Sequence, residues 1–112
     1  MVRLTIVMAA PAATARRLAE ALRVLGGTTR LERGCLACNV WTTEPAGDAG
    51  WVVRYEERWA SEATMEARVR SDDFTKLLEV VEGAPETPEV EFEFVARRQG
   101  LEYVEAVRAV SR

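Results

Sequence analysis

Trp51-Val52-Val53-Arg54-Tyr55-Glu56-Glu57-Arg58-Trp59, running straight into Ala60-Ser61-Glu62-Ala63, is the passage on which the fold turns. Successive side chains of a strand point to opposite faces. One face of this run therefore carries Trp51, Val53, Tyr55, Glu57 and Trp59, and the other carries Val52, Arg54, Glu56 and Arg58. One apolar and one charged face is the pattern of an antiparallel sheet covered on one side only. Ser61 with Glu62 and Ala63 then reads as a helix entrance.

Upstream, Pro45, Gly47, Asp48 and Gly50 form a hairpin-type loop, and Cys35 to Thr43 is the strand before it, opened by a turn at Gly34. Farther back, Val2 to Met8 alternates with Leu4, Ile6 and Met8 on one side. Pro11 suits a first helical turn. Leu18, Ala21, Leu22 and Leu25 follow at helical spacing, and Gly26-Gly27 is the expected end of that helix. Downstream, the helical pattern runs through Ala67 and restarts at Ser71-Asp72-Asp73, with Phe74, Leu77, Leu78 and Val81 on one stripe. Gly83, Pro85 and Pro88 close it. Glu89 to Ala96 alternates again, Val90, Phe92 and Phe94 against Glu89, Glu91 and Glu93, and Leu101 to Val110 reads as a short C-terminal helix.

Strand, helix, strand, strand, helix, strand is the ferredoxin-like βαββαβ order, an α+β fold with a four-stranded antiparallel sheet and its helices on one face. Residues 1–98 are expected as one domain and 99–112 as a helical extension. The rows Leu4/Ile6/Met8, Val90/Phe92/Phe94 and Trp51 to Trp59 are assigned to the helix-covered side. The opposite face, with Arg3 and the three glutamates of the last strand, is charged but balanced in sign; water or a second subunit must meet it.

The chain has 112 residues, 48% hydrophobic and 29% charged, which is ordinary globular composition. Fifteen basic residues against eighteen acidic leave a net charge of −3, without the basic surplus that nucleic-acid binding needs. The longest uncharged stretch, Leu4 to Ala15, has twelve residues and is interrupted by Pro11, too short for a membrane span. Its alternation is needed as a strand, which sets aside a secretory signal. The expected setting is cytoplasmic, with no nucleic acid or membrane as partner.

Cys35-Leu36-Ala37-Cys38 invites a redox or zinc reading. The pair runs into a strand rather than a helix, where residues three apart are expected on opposite faces with their sulfurs diverging. Two cysteines without a histidine do not complete a structural zinc site, so no metal is expected. The missing histidine also removes the usual nucleophile pairs and the default general base. Acid–base work would fall to carboxylates, tyrosine, the single Lys76 or water.

Against that background Glu57 stands out, a carboxylate among tryptophan, tyrosine and valine. It is a candidate base or hydrogen-bond acceptor in a pocket, or equally the partner of a nearby arginine. Trp41, Trp51, Trp59, Tyr55 and Phe74 are candidate walls for a flat, ring-shaped ligand, or simply core. Asn39, on the same strand face as Trp41, would offer an amide to a ligand oxygen.

At these residues the chain resembles the antibiotic biosynthesis monooxygenase (ABM) domain of the dimeric α+β barrel superfamily. Gly34-Cys35-Leu36 is similar to that family's opening of the second strand. Glu57-Arg58-Trp59-Ala60-Ser61-Glu62-Ala63 resembles its Glu-x-Trp-x-Ser-x-x-Ala passage, and Ser71-Asp72-Asp73-Phe74 its Ser-x-x-Phe segment. The likeness covers about residues 3–95 and leaves the C-terminal helix outside. It implies a homodimer with sheets face to face and a pocket between sheet and helices in each subunit. For active members it implies oxygenation of aromatic, polyketide-like substrates by O2 with no metal or flavin, hence no cofactor. Where the haem-degrading branch relies on a helix histidine, this chain has Arg68 and Leu77-Leu78, which speaks against haem degradation.

The leading expectation is thus a cofactor-independent monooxygenase acting on a small aromatic substrate. Glu57 would be base or acceptor, Arg68 the cation for an oxyanion, Tyr55 and Asn39 hydrogen-bonding partners, and Trp41, Trp59 and Phe74 the substrate-binding walls. The alternatives are a non-catalytic dimeric barrel that binds a small apolar ligand or serves a regulatory role, and an isomerase or lyase working through Glu57.

Overall fold

A computed structural model describes residues 1–45 and 50–110. The elements run β1 (Val2–Ala10), α1 (Ala12–Thr29), β2 (Cys35–Thr43), β3 (Trp51–Trp59), α2 (Glu62–Val69), α3 (Asp72–Glu82), β4 (Glu89–Phe94) and α4 (Leu101–Val110). Gly47 and Asp48 of the expected hairpin loop lie outside the described residues. The four strands form one antiparallel sheet in the order β2-β3-β1-β4, the ferredoxin-like arrangement expected from the sequence.

The register aligns the apolar rows. Leu4 pairs with Glu57 on β3 and Phe92 on β4, and Ile6 pairs with Tyr55 and Val90. Val2, Leu4, Ile6, Met8, Val53, Tyr55 and Trp59 are buried with Leu18, Leu22, Met65, Phe74, Leu77 and Val81 from the helices, forming one core. The opposite face carries Arg3, Thr5, Arg54, Glu56 and Arg58, where Glu56 is buried between Arg58 at 2.7 Å and Arg54 at 3.8 Å and Arg3 pairs with Glu93.

Local sequence sets the breaks. Ser61 caps α2 through a reciprocal box with Thr64: each backbone N–H donates to the other residue's hydroxyl at 3.2 Å. Ser71 caps α3 by accepting from the Phe74 N–H. Gly34 has φ +88°, and a Cβ there would meet Thr64 Cγ2 at 2.5 Å, so the turn into β2 needs glycine to pass over the start of α2.

Four sequence expectations are corrected. Helix α1 runs through Gly26-Gly27 to Thr29; Gly26 is a packing glycine, where a Cβ would come within 3.3 Å of Cys38 Sγ. Strand β4 ends at Phe94 rather than Ala96. A β-bulge between Cys35 and Ala37 shifts the side-chain alternation, so Cys35 pairs with Trp59 and Cys38 with Glu57, and both free thiols lie on the core side instead of diverging. Finally, Val90, Phe92 and Phe94 are on the helix side by register, yet they stay exposed, with no helix among the described residues packed over them. Helix α1 packs across β2, β3 and β1, and α2 packs on β3, which leaves the β4 row exposed.

Candidate functional site

Beneath the helices lies a closed polar cluster built on β3. The Glu57 carboxylate, fully buried, accepts from the Tyr55 hydroxyl, from Trp59 Nε1 at 2.8 Å, and from Arg68 Nε at 3.1 Å and Nη2 at 3.0 Å. Tyr55 and Trp59 flank Glu57 on the same face of their strand, and Arg68 descends from α2. Behind Tyr55, Cys38 Sγ donates to the phenol oxygen at 3.3 Å. Arg68 also reaches Glu32 at 3.5 Å and lies over the Phe74 ring, 5.5 Å from its centroid.

A carboxylate offers about four acceptor positions, and four donors take those of Glu57. The cluster's electrostatics follow from that. Burial pulls Arg68 down, but the hydrogen bonds and charge of Glu57 outweigh it and hold the guanidinium above its ordinary value. Burial, then the charge of Glu57, push the Tyr55 phenol far up, so it stays a donor. Burial also pushes the Cys35 and Cys38 thiols up, which keeps them protonated and poorly nucleophilic. Among the described residues no buried side-chain polar atom is left without a partner, and no group of metal-ligating side chains forms.

The structure brings together Glu57, Tyr55, Trp59, Arg68 and Phe74 from the sequence-stated candidates, as a packed cluster. It does not bring Asn39 or Trp41 to them. Asn39 pairs with Glu56 and Trp41 with Arg54, so both lie on the opposite face of the sheet, exposed. Trp51 lies at the far end of β3, half-buried opposite Ala10.

The apolar opening is elsewhere. Between α2 and β4 lies a cleft of about 240 Å³ floored by Met65, Val69, Phe92 and Phe94 and rimmed by Glu62, Glu66 and Arg70. It exists because the helix layer stops short of β4. Met65 and Arg68 share α2, so one helix presents its core face to Glu57 and its flank to the cleft. The signal for this site was in the sequence, as the Val90/Phe92/Phe94 row and the apolar Met65 and Val69. The missing piece was that no helix follows β4 onto that row.

Compared with known proteins, residues 1–80 match the sequence model of the family described as antibiotic biosynthesis monooxygenase. No curated protein matches the chain. Among solved structures, a Deinococcus radiodurans protein carrying the same family designation is similar with a TM-score of 0.71 at 20% identity, over 89% of this chain and 97% of that one. A Mycobacterium tuberculosis protein gives 0.67 at 18% identity, over 88% and 98%. One from Nitrosomonas europaea gives 0.67 at 14% identity, over 87% of this chain and all of the other. At such identities the likeness is one of fold. No described helix is long and apolar enough to cross a membrane.

Proposed function

Because the chain belongs to the antibiotic biosynthesis monooxygenase family, we propose that it binds a small, electron-rich aromatic substrate in the α2–β4 cleft and promotes its oxygenation by O2 without a cofactor. The observation that carries this reading is the cleft itself. It is an apolar trough on the helix side of the sheet, with two phenylalanines for a ring to lie against and a cation, Arg70, at its rim.

The chemistry asks little of the protein. An activated aromatic methylene loses a proton to water at the cleft mouth. The resulting anion gives one electron to O2, the two radicals join in a C–O bond, the peroxide anion so formed takes the proton back from water at the cleft mouth, and the hydroperoxide loses water to leave a carbonyl. The sum is CH2 plus O2 to C=O plus H2O. Arg70, loosely paired with Glu66 at 3.6 Å, takes the role of accepting the anion's charge in place of Arg68. The apolar floor keeps water from the radical pair. Glu57, Tyr55, Trp59 and Arg68 act from behind the wall. They clamp α2 to β3 and so fix Met65 and Val69; Phe74 packs on the clamp. In this reading the chain works as a homodimer in the cytoplasm, its two charged sheet faces packed together, a setting with which two free thiols agree.

One observation favours a second reading, ligand binding without turnover: the single carboxylate on the apolar face is saturated by donors and offers no base. Oxygen uptake with anthrones and hydroquinones tests the choice. Uptake above background that is lost when Val69→Trp fills the trough, and kept in Trp41→Ala on the far face, supports oxygenation. Background rates accompanied by ligand-dependent thermal stabilisation leave the binding reading, and neither effect overturns both.

A further inference from the structure

The bulge at the start of β2 does more than shift an alternation: it sets two thiols side by side. Leu36 is the extra residue, and its insertion leaves Cys35 opposite Trp59 and Cys38 opposite Glu57. Trp59 and Glu57 are next neighbours on one face of β3, so the two cysteines are next neighbours on the core face of β2. Strand β2 is an edge of the sheet. At that edge lies a hollow of about 180 Å³ lined by Arg30 and residues 35–39. Both cysteines are free; Cys38 is buried and Cys35 only half-buried, so the pair is reached from the side of Cys35. Arg30 Nε donates to the Cys38 carbonyl at 2.8 Å, which fixes a cation in the wall of the hollow.

Spacing decides what two such sulfurs can hold. Neighbours on one strand face stand about 6.6 Å apart, whereas a disulfide needs its Cβ atoms about 3.5–4.5 Å apart. A single atom between the sulfurs fits better. Two opposed bonds of about 2.3 Å, the length of a zinc–sulfur bond, put the sulfurs about 4.6 Å apart, and inward-leaning Cβ–S bonds supply the rest. The ion must be content with two ligands, because among the described residues no group of three or more histidine, cysteine, aspartate or glutamate side chains is placed to hold a metal. Zinc, which takes four, and the oxygen-seeking calcium and magnesium are thereby excluded. Thiolate sulfur selects soft ions, and copper(I) is the one that binds two thiolates in a line.

We propose that Cys35 and Cys38 form a two-coordinate site for copper(I), with Arg30 as its charge partner. On loading, two S–H bonds break, two S–Cu bonds form and two protons leave to water; the copper stays monovalent and no electron moves. The two thiols are neutral beforehand and the bis-thiolate complex carries one negative charge, which Arg30 in the wall answers. What the thiols give up is small: Cys35 Sγ donates to the Ala37 carbonyl at 3.5 Å, and Cys38 Sγ to the Tyr55 oxygen at 3.3 Å. The Tyr55 hydroxyl still donates to Glu57, so the site fills without opening the cluster. It lies at the β2 edge of the sheet, across from the β4 edge that borders the cleft, and is independent of the oxygenation reading.

Anaerobic titration of the reduced full-length chain with copper(I), in competition with the chelator bathocuproine disulfonate, tests the site. The expected result is one copper retained per chain, and a native mass spectrum in which each chain gains one copper and loses two protons. Cys35→Ser is expected to weaken retention at least a hundredfold while the circular dichroism spectrum stays unchanged, since that side chain is half-exposed. Cys38→Ser should do the same; should that buried substitution unfold the chain, Cys35→Ser decides by itself. A wild-type chain that retains no copper, or a Cys35→Ser chain that retains it equally well, would overturn the proposal. One copper bridging the thiols of two chains would overturn it too. Zinc offered at the same concentrations is expected to leave the apo mass; zinc held by both thiols would show a larger ligand set than two sulfurs and refute the two-coordinate site. Oxygen uptake does not enter these readouts, so failure here leaves the cleft reading standing, and failure of that reading leaves the copper site standing.

Discussion

The cluster around Glu57 and the cleft between α2 and β4 share a helix and lie on one side of one sheet, yet they are opposites. In the first, every polar atom is met and the carboxylate is fully buried. In the second, two phenylalanines stand open to water beside loosely paired rim charges. The chemistry-bearing residues thus sit in a closed cluster, and the apolar cleft beside them has almost no chemistry of its own. A buried ion pair is expensive to desolvate and hard to replace singly. It is better suited to fixing an element than to exchanging protons. In this chain it fixes α2, whose other flank is the cleft wall.

That contrast is most easily broken at Arg68. Arg68→Ala leaves the Glu57 charge buried with only Tyr55 and Trp59 to answer it, and is expected to cost about 3–5 kcal/mol in denaturant unfolding. Phe94→Ser, in the open cleft, is expected to change stability by no more than about 0.5 kcal/mol. Equal costs at the two sites would erase the distinction. Next in size is Tyr55→Phe, which keeps the ring but removes one donor to Glu57 and the acceptor of Cys38. A cost of about 1–3 kcal/mol follows from leaving buried groups unmet. A neutral result would mean that water or another side chain takes over the hydroxyl's place, and that the cluster is less tightly closed than its geometry implies.

The strands were legible because alternation is a local property: β1, β3 and β4 each carry a clean two-residue period, and their shared face follows from it. Glu57 was legible as the exception on that face for the same reason. What alternation cannot carry is a parity change, so the bulge at Cys35/Ala37, which turns both thiols to the core, was read the wrong way. Gly26 looked like a helix terminus because a terminal glycine and a packing glycine are the same letter; only the approach of Cys38 tells them apart. The candidate site divided for a related reason. Asn39 and Trp41 were grouped with Tyr55 and Trp59 by side-chain type, but the β2–β3 register decides which face each occupies. The cleft was legible only in its apolar residues, since its opening depends on where the helix layer ends.

Glu32 offers the smallest and sharpest test, because it is the one cluster member half open to solvent. Burial pushes its carboxyl above the ordinary value of 4.5, with Arg68 pulling the other way and Asp73 and Glu57 adding to the rise. A carboxyl whose folded-state pKa is raised holds its proton more tightly in the folded state. Its contribution to stability is therefore fully present below the unfolded value and is lost as pH rises through the folded one. At pH 7 the ionised Glu32 is a small net cost, and Glu32→Gln removes that cost while leaving an oxygen within reach of Arg68. The variant is expected to unfold at a slightly higher temperature at pH 7, a gain of less than about 1 kcal/mol because the Glu32 side chain is partly open to solvent. The difference should close as pH falls below the ordinary carboxylate range, where both side chains are neutral. A variant less stable at pH 7 would instead show that the attraction between Glu32 and Arg68 outweighs burial, and would extend the closed cluster outward by one more charge.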